Sequence, residues 1–396
     1  MTRKDRTEGI YSRHEVLDES ERRQYYLIQL KELLAYASRY SEDVKKRFDR
    51  SQFNVDKFKQ LSDLKHIPIL KKKELIFLQS MGPRLGGLLT KDLGELRRIF
   101  LSPGPIFDPE DRADDYWGYT EAFYSVGFRP GDVAAVTFNY HLTPAGLMFE
   151  EPLRNLGCAV VPAGPSEAMT QLDIMQKLRV SGYVGTPSNL MHLAQRAEEK
   201  GLNLRKDLLL EVAFVTGERL SEKVRNQMEK RFDLIMRQGY GTADVGCIGY
   251  ECYHKTGLHI ANRAYVEICH PDTGIPLKDG EVGEIVVTAF NKTYPLIRLA
   301  TGDLSYIDRA PCACGRSNPR LGSILGRVDT TARIKGMFVY PHQVEQVMAR
   351  FEEIKRWQIE VTNPGGIDEM VLFIEASNFT REEDLLHQFR EKIKLR

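Results

Sequence analysis

The apolar residues follow two patterns along the chain, one typical of helices and one typical of buried strands. Apolar residues recur at helical spacing in YYLIQLKELLAYASRY, within residues 20–60, and in several later segments. From Pro130 onwards such segments alternate with short apolar runs typical of buried strands, such as DVAAVTF before AGLMFEEPLRNLG and LEVAFVTGE before SEKVRNQMEKRF. Ser221 is a suitable N-cap for the last of these helices. Strands that alternate with helices predict a largely parallel sheet covered on both faces.

The pattern changes twice in the C-terminal third of the chain. After Tyr250, AYVEICHPDTGIPLKDGEVGEIVVTAF has the strands and turns of β-hairpins. After Gly326, helices and strands form a smaller α+β unit. We therefore predict an α/β protein with a large N-terminal domain over residues 1–326 and a small C-terminal α+β domain over residues 327–396. The large domain would combine mixed and parallel sheets, flanked by helices, with a β-rich subdomain.

Composition narrows the functional class. The 396 residues are 42% hydrophobic and 28% charged, the balance of a globular protein, and the net charge of +1 favours neither nucleic acid nor an anionic membrane as a partner. The basic run LKKKEL is interpreted as the solvated start of a helix rather than a binding patch. No apolar run approaches the ~20 residues of a membrane span, and the N-terminus lacks the apolar centre of a signal peptide. These features predict a cytoplasmic protein.

Three loops that follow predicted strands carry polar side chains where an open parallel sheet binds its ligands. They are TGERL with Gly217 and Glu218, QGYGTADVG with Tyr240, Gly241, Thr242 and Asp244, and IRLATGD with Asp303. A carboxylate is able to accept hydrogen bonds from both hydroxyls of a ribose, a tyrosine face to stack on a purine, and a second carboxylate to hold Mg²⁺. Each loop alone is weak evidence, because glycine turns with acids are usually only turns.

The order of the motifs is more specific than any one of them. The chain contains, in succession, DLKHIPILKKKEL, YVGTPSNL, TGERLSE, YGTAD, ECYHKTGLHI, GEVGEIVVTAF, YPLIRLATGD, PCACGRSNPRLGSILGRVD and IKGMFVYPHQVEQV. This series resembles the phenylacetate–coenzyme A ligase family within the adenylate-forming superfamily of acyl-CoA synthetases. The resemblance spans most of the chain.

The resemblance implies a two-step reaction of a small carboxylic acid. The acid and ATP, with Mg²⁺, give an acyl-adenylate and pyrophosphate, and coenzyme A then displaces AMP to give a thioester. Tyr240 would flank the adenine, Asp303 would take the ribose hydroxyls, and Asp244 would bind the magnesium. The implied catalytic residues are Asp244 and Lys335. The implied nucleotide-binding residues are Ser102, Gly104, Gly217, Glu218, Tyr240, Gly241, Thr242, Asp303 and Arg327.

The small domain would act as a lid over the large one. The resemblance places the hinge at Asp329, and it places Lys335 and Gly336 on the lid loop that approaches the site for thioester formation. An ion pair between the two domains is the alternative role for Arg327 and Asp329.

Three departures from the family all concern ATP. The family's phosphate loop is rich in Ser, Thr and Gly and holds a lysine, whereas this chain has IFLSPGPIFDPED, where three prolines remove backbone donors and Asp108 adds negative charge. Ala243 replaces a residue that usually carries a hydroxyl, and Asp244 is shorter than the usual glutamate. The sequence stops at REKIKLR, before the stretch that brings the family's adenylation lysine. Either the sequence is incomplete or this member lacks that residue.

Six cysteines are too few for a disulfide scaffold, so the close pair in PCACG points to metal or to chemistry. Zinc needs four ligands, and candidates lie about sixty residues earlier in GCIGYECYHKTGLHI. The preferred set, which matches a pattern in resembling family members, is Cys252, His259, Cys312 and Cys314, with Cys247 or His254 as substitutes. Buried reduced thiols are the main alternative, followed by a redox pair. A zinc ion there would be structural.

Two further sets of expectations concern substrate and function. Tyr140, His141 and Ala163 lie where the resembling family begins its acyl pocket, although a structural hydrogen bond is an equally suitable role for His141. The first functional hypothesis is an AMP-forming acid–CoA ligase for an aryl acid such as phenylacetate. The second is an adenylate-fold protein that binds nucleotide or acyl ligand with weak or altered activation. A homodimer is expected from the fold family.

Overall fold

A computed structural model of the chain describes residues 5–334, 337–362 and 369–393. The backbone divides into two compact units. The first unit runs to Thr301 and includes Tyr306–Ser323, and the second comprises Gly302–Ser305 and the chain from Ile324 onwards. Among the described residues, no helix has both the length and the apolar character needed to cross a membrane.

The cap predicted at Ser221 is confirmed, because its side chain accepts a hydrogen bond from the backbone N–H of Val224. The side chain of Thr186 caps the helix that starts at Pro187 in the same way. The first unit contains α1 Glu19–Tyr40, α2 Glu42–Ser51, α3 Lys72–Met81, α4 Thr120–Val126, α5 Ala145–Asn155, α6 Ala168–Lys177, α7 Pro187–Glu199 and α8 Glu222–Phe232.

The largest sheet of the first unit has nine described strands in the order β14-β15-β10-β9-β8-β7-β6-β4-β5. They are β4 Val133–Val136, β5 Ala159–Val161, β6 Gly182–Gly185, β7 Val212–Val215, β8 Ile235–Thr242, β9 Gly246–Tyr250, β10 Leu258–Ile260, β14 Ile307–Asp308 and β15 Arg320–Leu321. Strands β5, β4, β6, β7 and β8 pair in parallel, and the pairs from β8 to β14 are antiparallel. The sheet is therefore mixed. The predicted parallel sheet corresponds to the half made of β5, β4, β6, β7 and β8.

Helices cover the parallel half on both faces, as predicted. On β4, Ala134 and Val136 pack into a core that includes α4 and α5, whereas Ala135 packs into a second core that includes α6, α7 and α8. The same alternation separates Phe214 from Val215 on β7. Because both of their faces are buried, β4 and β7 are apolar at every position, which explains the apolar runs in the sequence.

Two smaller sheets contain the other strands that begin in the first unit. One has the order β1-β13-β12-β11, with β1 Leu70–Lys71, β11 Ala264–Cys269, β12 Gly283–Ala289 and β13 Leu299–Ser305, whose last four residues are assigned to the second unit. Strands β11 and β12 form the predicted antiparallel hairpin. The other sheet is the hairpin of β2 Arg98–Ser102 and β3 Ile106–Glu110, which turns at Pro103–Pro105. The segment predicted to be a degenerate phosphate loop is therefore mostly β-structure.

The second unit has the predicted α+β composition. Its elements are β16 Gly326–Arg327, β17 Ala332–Ile334, β18 Met337–Val339, α9 Pro341–Met348, β19 Ile354–Thr362, β20 Glu369–Ala376 and α10 Glu382–Ile393. Strands β19 and β20 are antiparallel, and their apolar positions pack against Val344, Phe351 and Phe389 in a small core of their own. The predicted fold class is confirmed.

Candidate functional site

The predicted site loops of the first unit follow neighbouring strands of the parallel half-sheet. Because parallel strands end at the same edge, these loops share that edge in the order of the strands. Ala163 follows β5, Tyr140 and His141 follow β4, Gly217 and Glu218 follow β7, and Tyr240, Gly241 and Thr242 end β8. The acyl-pocket candidates thus lie toward the outer strands and the nucleotide candidates toward the middle of the sheet.

The turn between β8 and β9 requires its glycine. Tyr240 is half-buried and pairs with Gly249, and a bulge follows it. A Cβ at Gly241 would collide with the hydroxyl of Tyr119 and with the carbonyl oxygen of Gly246. The turn therefore accepts no side chain at position 241, and it holds the Tyr240 ring and the Asp244 carboxylate on one short connection.

Glu218 has an immediate partner at the start of α7. The Ser188 hydroxyl donates to its Oε1 at 2.6 Å, and the Ser188 backbone N–H donates to its Oε2 at 3.2 Å. Gly217 allows this approach with a φ of +81°, which favours glycine. The carboxylate thus satisfies a free N–H at the N-terminus of α7, so part of its hydrogen-bonding capacity is used within the protein.

Asp108 is the most unusual carboxylate on the hairpin. It lies on β3, is 2% exposed, and neither of its oxygens forms a hydrogen bond within the described chain. Burial, and then the nearby Asp244, raise the pKa of Asp108 to about 8, against the opposing influence of Ser102 and Lys72. Of the two phosphate contacts predicted here, Ser102 is buried and its hydroxyl donates to the carbonyl of Ile106 at 3.4 Å, while Gly104 lies in the exposed turn.

Lys72 contacts a candidate site residue, and the sequence analysis did not include it. Its Nζ lies 2.7 Å from Oδ2 of Asp244, a carboxylate whose side chain is 2% exposed. The segment LKKKEL was interpreted as a solvated helix start, and the structure corrects this for one of its three lysines. A usable signal was present, because the run belongs to DLKHIPILKKKEL, one of the motifs in the family series.

Two of the acyl-pocket candidates, Tyr140 and His141, lie in the loop that leads into α5. The Tyr140 ring packs so closely on Gly146 that a Cβ there would collide with it, and burial raises the pKa of Tyr140. His141 is exposed, and its backbone N–H donates to Asn139 Oδ1 at 2.8 Å. Ala163 is half-buried.

The phosphate hairpin is attached to this acyl-pocket loop. The backbone N–H of Leu101 on β2 donates to the carbonyl of Leu142 at 2.9 Å. This hydrogen bond connects β2 to the loop that carries Tyr140 and His141.

The second unit holds its own cluster of predicted residues. Asp303 and Arg327 are partners on paired strands, with 3.2 Å between Oδ1 and Nη1. Arg327 Nε also donates to Asp329 Oδ1 at 3.0 Å. Arg327 thus contacts both carboxylates. Asp329 lies in the turn that follows β16. Lys335 and Gly336 lie outside the described residues, so their predicted roles stay predictions.

The four preferred metal ligands come together in the first unit. The sulfur atoms of Cys252 and Cys312 are 3.6 Å apart, and Cys314 Sγ lies 3.4 Å from His259 Nε2. One donor atom from each of the four residues lies within 4.8 Å of all the others. The substitutes are placed elsewhere: Cys247 belongs to the aromatic core, and His254 lies beside the Tyr253 ring.

The spacing of this Cys/His cluster fits a zinc ion. A tetrahedron with Zn–S bonds of about 2.3 Å has neighbouring sulfurs about 3.8 Å apart, close to the separation of Cys252 and Cys312. Cys252 and His259 are buried, while Cys312 and Cys314 are half-buried. The pKa of Cys314 is lowered because Cys252 donates a hydrogen bond to it, with a further contribution from His259. A thiolate is the form that binds metal.

Comparison with known proteins covers nearly the whole chain. Two family models match: AMP-binding enzyme over residues 116–291, and AMP-binding enzyme C-terminal domain over residues 336–396. A phenylacetate-coenzyme A ligase of Thermus thermophilus is 30% identical to this chain, covering 92% of it and 86% of that protein. A phenylacetate-coenzyme A ligase of Escherichia coli is 27% identical, covering 88% of this chain and 83% of that protein.

Solved structures share the fold. An open conformation of 2-hydroxyisobutyryl-CoA ligase in complex with 2-HIB-AMP and CoA has a TM-score of 0.87 at 22% identity, covering 97% of this chain and 93% of that one. The postadenylation state of the same ligase in complex with R3-HIB-AMP has a TM-score of 0.81 at 22% identity, covering 97% and 86%.

Proposed function

The chain belongs to the phenylacetate–coenzyme A ligase family of AMP-binding enzymes, and we propose that it is an AMP-forming carboxylate–CoA ligase for an aryl acid such as phenylacetate. The observation that carries the proposal is 30% identity to a phenylacetate-coenzyme A ligase over 92% of the chain. The sheet edge supports it, because it presents the acyl-pocket and nucleotide candidates side by side in one unit.

Two steps make up the proposed reaction. A carboxylate oxygen of the acid attacks the α-phosphorus of ATP, the bond to the β-phosphate breaks, and pyrophosphate leaves with the electron pair. The coenzyme A thiolate then attacks the acyl carbon, the C–O bond to AMP breaks, and a thioester forms. The protein would orient the reactants and stabilise developing phosphate charge. Mg²⁺, when bound, would supply charge neutralisation at the phosphates.

Roles follow for the residues of each unit. Tyr240 would stack on the adenine and Asp244 would bind the magnesium. Asp303 would accept hydrogen bonds from the ribose hydroxyls, and its contact with Arg327 supports a fixed carboxylate. Lys335 would serve thioester formation.

The Cys/His cluster of Cys252, His259, Cys312 and Cys314 is proposed to hold one structural zinc ion. The donor set and its spacing support this, since a closed Cys₃His site leaves no open position for catalysis. The ion would connect β10, which carries His259, to the loop before β15, which carries Cys312 and Cys314. We also propose a cytoplasmic enzyme that forms a homodimer.

A coupled assay tests the proposed function. Purified protein with ATP, Mg²⁺ and coenzyme A is supplied with phenylacetate, benzoate or an aliphatic acid, and both pyrophosphate release and thioester formation are measured. Pyrophosphate and thioester with an aryl acid support the proposal. Turnover restricted to aliphatic acids would contradict the aryl substrate while retaining the reaction.

A second candidate function is nucleotide or acyl binding with weak activation. The hairpin favours it, because prolines at 103, 105 and 109 remove backbone donors and Asp108 places a carboxylate where phosphates are expected. AMP binding by calorimetry without pyrophosphate release from any acid would establish this second candidate.

A further inference from the structure

The loop that carries two of the proposed zinc ligands contacts a segment near the N-terminal end of the described chain. We call this loop, residues 309–319 between β14 and β15, the ligand loop, and we call residues 9–17 the N-terminal strap. The backbone N–H of Ser317 donates to the carbonyl of Glu15 at 2.8 Å, and the Ser317 hydroxyl donates to the carbonyl of Leu17 at 2.5 Å. These bonds join two segments that are about three hundred residues apart in the sequence.

Glu15 is the buried centre of this contact. It is 0% exposed, whereas most of the N-terminal strap is exposed. Its Oε1 accepts hydrogen bonds from Nε of Arg316 at 2.6 Å and from the Tyr250 hydroxyl at 3.1 Å. Its Oε2 accepts hydrogen bonds from the backbone N–H groups of Tyr11 and Ser12. A glutamine has the same size but cannot accept all of these bonds, because its amide nitrogen only donates.

Arg316 connects Glu15 to a metal ligand. It follows Cys314 by two residues and is 5% exposed. Besides its ion pair with Glu15, it donates through Nη2 to the carbonyl of Gly9 at 3.0 Å. A guanidinium this deeply buried needs partners, and the N-terminal strap supplies both of these. The position of Cys314 is therefore constrained from the strap through two residues of chain.

We propose that the N-terminal strap is part of the Cys/His metal site, with Glu15 as a positioning residue, so that zinc binding and docking of the strap stabilise each other. The inference rests on the proposed zinc site and is independent of the ligase reaction. Zinc would order residues 312–314, and the strap orders residues 316–317 of the same ligand loop. Whichever event occurs first removes conformational freedom that the other would otherwise have to remove. Such coupling is reciprocal, so each event should strengthen the other by the same factor.

Zinc affinity tests one direction of the coupling. Full-length wild type and variants are titrated with Zn²⁺ in competition with a chelating dye of known affinity. We expect Glu15→Gln to lower zinc affinity by about 10-fold or more, as is typical when a residue that positions a metal ligand is lost. Glu267→Gln is the matched control, because this buried carboxylate pairs with Arg298 at 2.9 Å in a different sheet. It should leave zinc affinity unchanged even where it lowers the melting temperature.

Amide hydrogen exchange tests the other direction. Zinc-loaded and chelator-treated wild type are compared by mass spectrometry of peptides that cover the N-terminal strap. We expect strap amides, including those of Tyr11 and Ser12, to exchange about 10-fold faster without zinc, while the amides of α7 are unaffected. If Glu15→Gln does not fold, Ser317→Ala replaces it in the zinc titration, because it removes the hydroxyl that donates to Leu17.

The possible results separate this inference from the other proposals. Wild-type zinc affinity in the folded variant, an equal loss in Glu267→Gln, or strap exchange that does not depend on zinc would overturn the coupling and leave the zinc site standing. Failure of the wild type to take up zinc would reject both the zinc site and the coupling. Coupling in a protein that forms no thioester would uphold the inference and reject the proposed ligase function.

Discussion

Replacing Lys72 with methionine keeps the length of the side chain and removes its charge. Its Nζ lies 2.7 Å from Oδ2 of Asp244, whose side chain is 2% exposed. Without the ammonium, the Asp244 carboxylate would remain buried and would lose the ion pair that the structure describes. We expect Lys72→Met to destabilise the first unit for this reason.

The size of the effect follows from the distance and the exposure. Two unit charges 2.7 Å apart attract by about 6 kcal/mol at an effective dielectric constant of about 20. Desolvation of both groups offsets much of this attraction, and the Lys72 side chain is 32% exposed, so we expect a net loss of about 2 kcal/mol. Adding Asp244→Asn should recover most of that loss, because the unpaired charge is then removed.

Urea unfolding in magnesium-free buffer measures this double-mutant cycle. Each of the two units contains one tryptophan, Trp117 in the core of the first and Trp357 in the second. In a Trp357→Phe background, tryptophan fluorescence therefore follows the unfolding of the first unit alone. Lys73→Met, at an exposed lysine one residue along, is the control and should change the free energy of unfolding by less than about 0.5 kcal/mol. A coupling energy between Lys72 and Asp244 below about 0.5 kcal/mol would refute the reasoning.

Three further predictions concern other parts of the molecule. Cys312→Ser should lower zinc content and melting temperature, whereas Cys158→Ser, at a cysteine outside the cluster, should leave zinc content unchanged; elemental analysis decides. Asp303→Ala should weaken AMP binding in calorimetry by about 10-fold, through the loss of charged hydrogen bonds, and unchanged affinity removes the ribose assignment. Burial, and then Glu15, raise the pKa of Glu121 from 4.5 to about 7, so the folded state holds its proton more tightly than the unfolded state. The contribution of this group to the free energy of unfolding is therefore lost as pH rises from about 4.5 to about 7, by up to about 3 kcal/mol. Glu121→Gln should make the free energy of unfolding less dependent on pH over that range, as measured by urea unfolding.

The sequence predicted those parts of the site that are local in the chain. The turn of Tyr240 and Gly241 is contained in one short motif, and its glycine is needed for contacts that the motif itself partly supplies, such as that with Gly246. The helix cap at Ser221 is local in the same sense. The Cys/His cluster joins segments about sixty residues apart; the need of zinc for four ligands directed attention to the earlier segment, and the preferred set came from the pattern of resembling family members.

The ion pair of Lys72 with Asp244 and the burial of Asp108 could not be predicted in this way. Lys72 meets Asp244 because of where a helix start and a turn lie in space, and periodicity carries no information on such long-range contacts. From the sequence, Asp108 was a charge that weakens a phosphate loop. The structure changes that interpretation, because the carboxylate lies inside the protein. On β3, Asp108 is buried between the exposed Phe107 and the buried Pro109.

The register of three antiparallel strands links the Cys/His cluster to the nucleotide turn. His259 on β10 pairs with Tyr250 on β9, and the next row joins Ile260, Gly249 and Tyr240 across β10, β9 and β8. The proposed zinc ligand His259 is thus one residue along and two strands across from the proposed adenine-stacking ring of Tyr240. A metal that fixes β10 would restrain β9, since β9 has β10 on one side and β8 on the other. A structural ion at this place would therefore hold the strand register on which the position of Tyr240 depends.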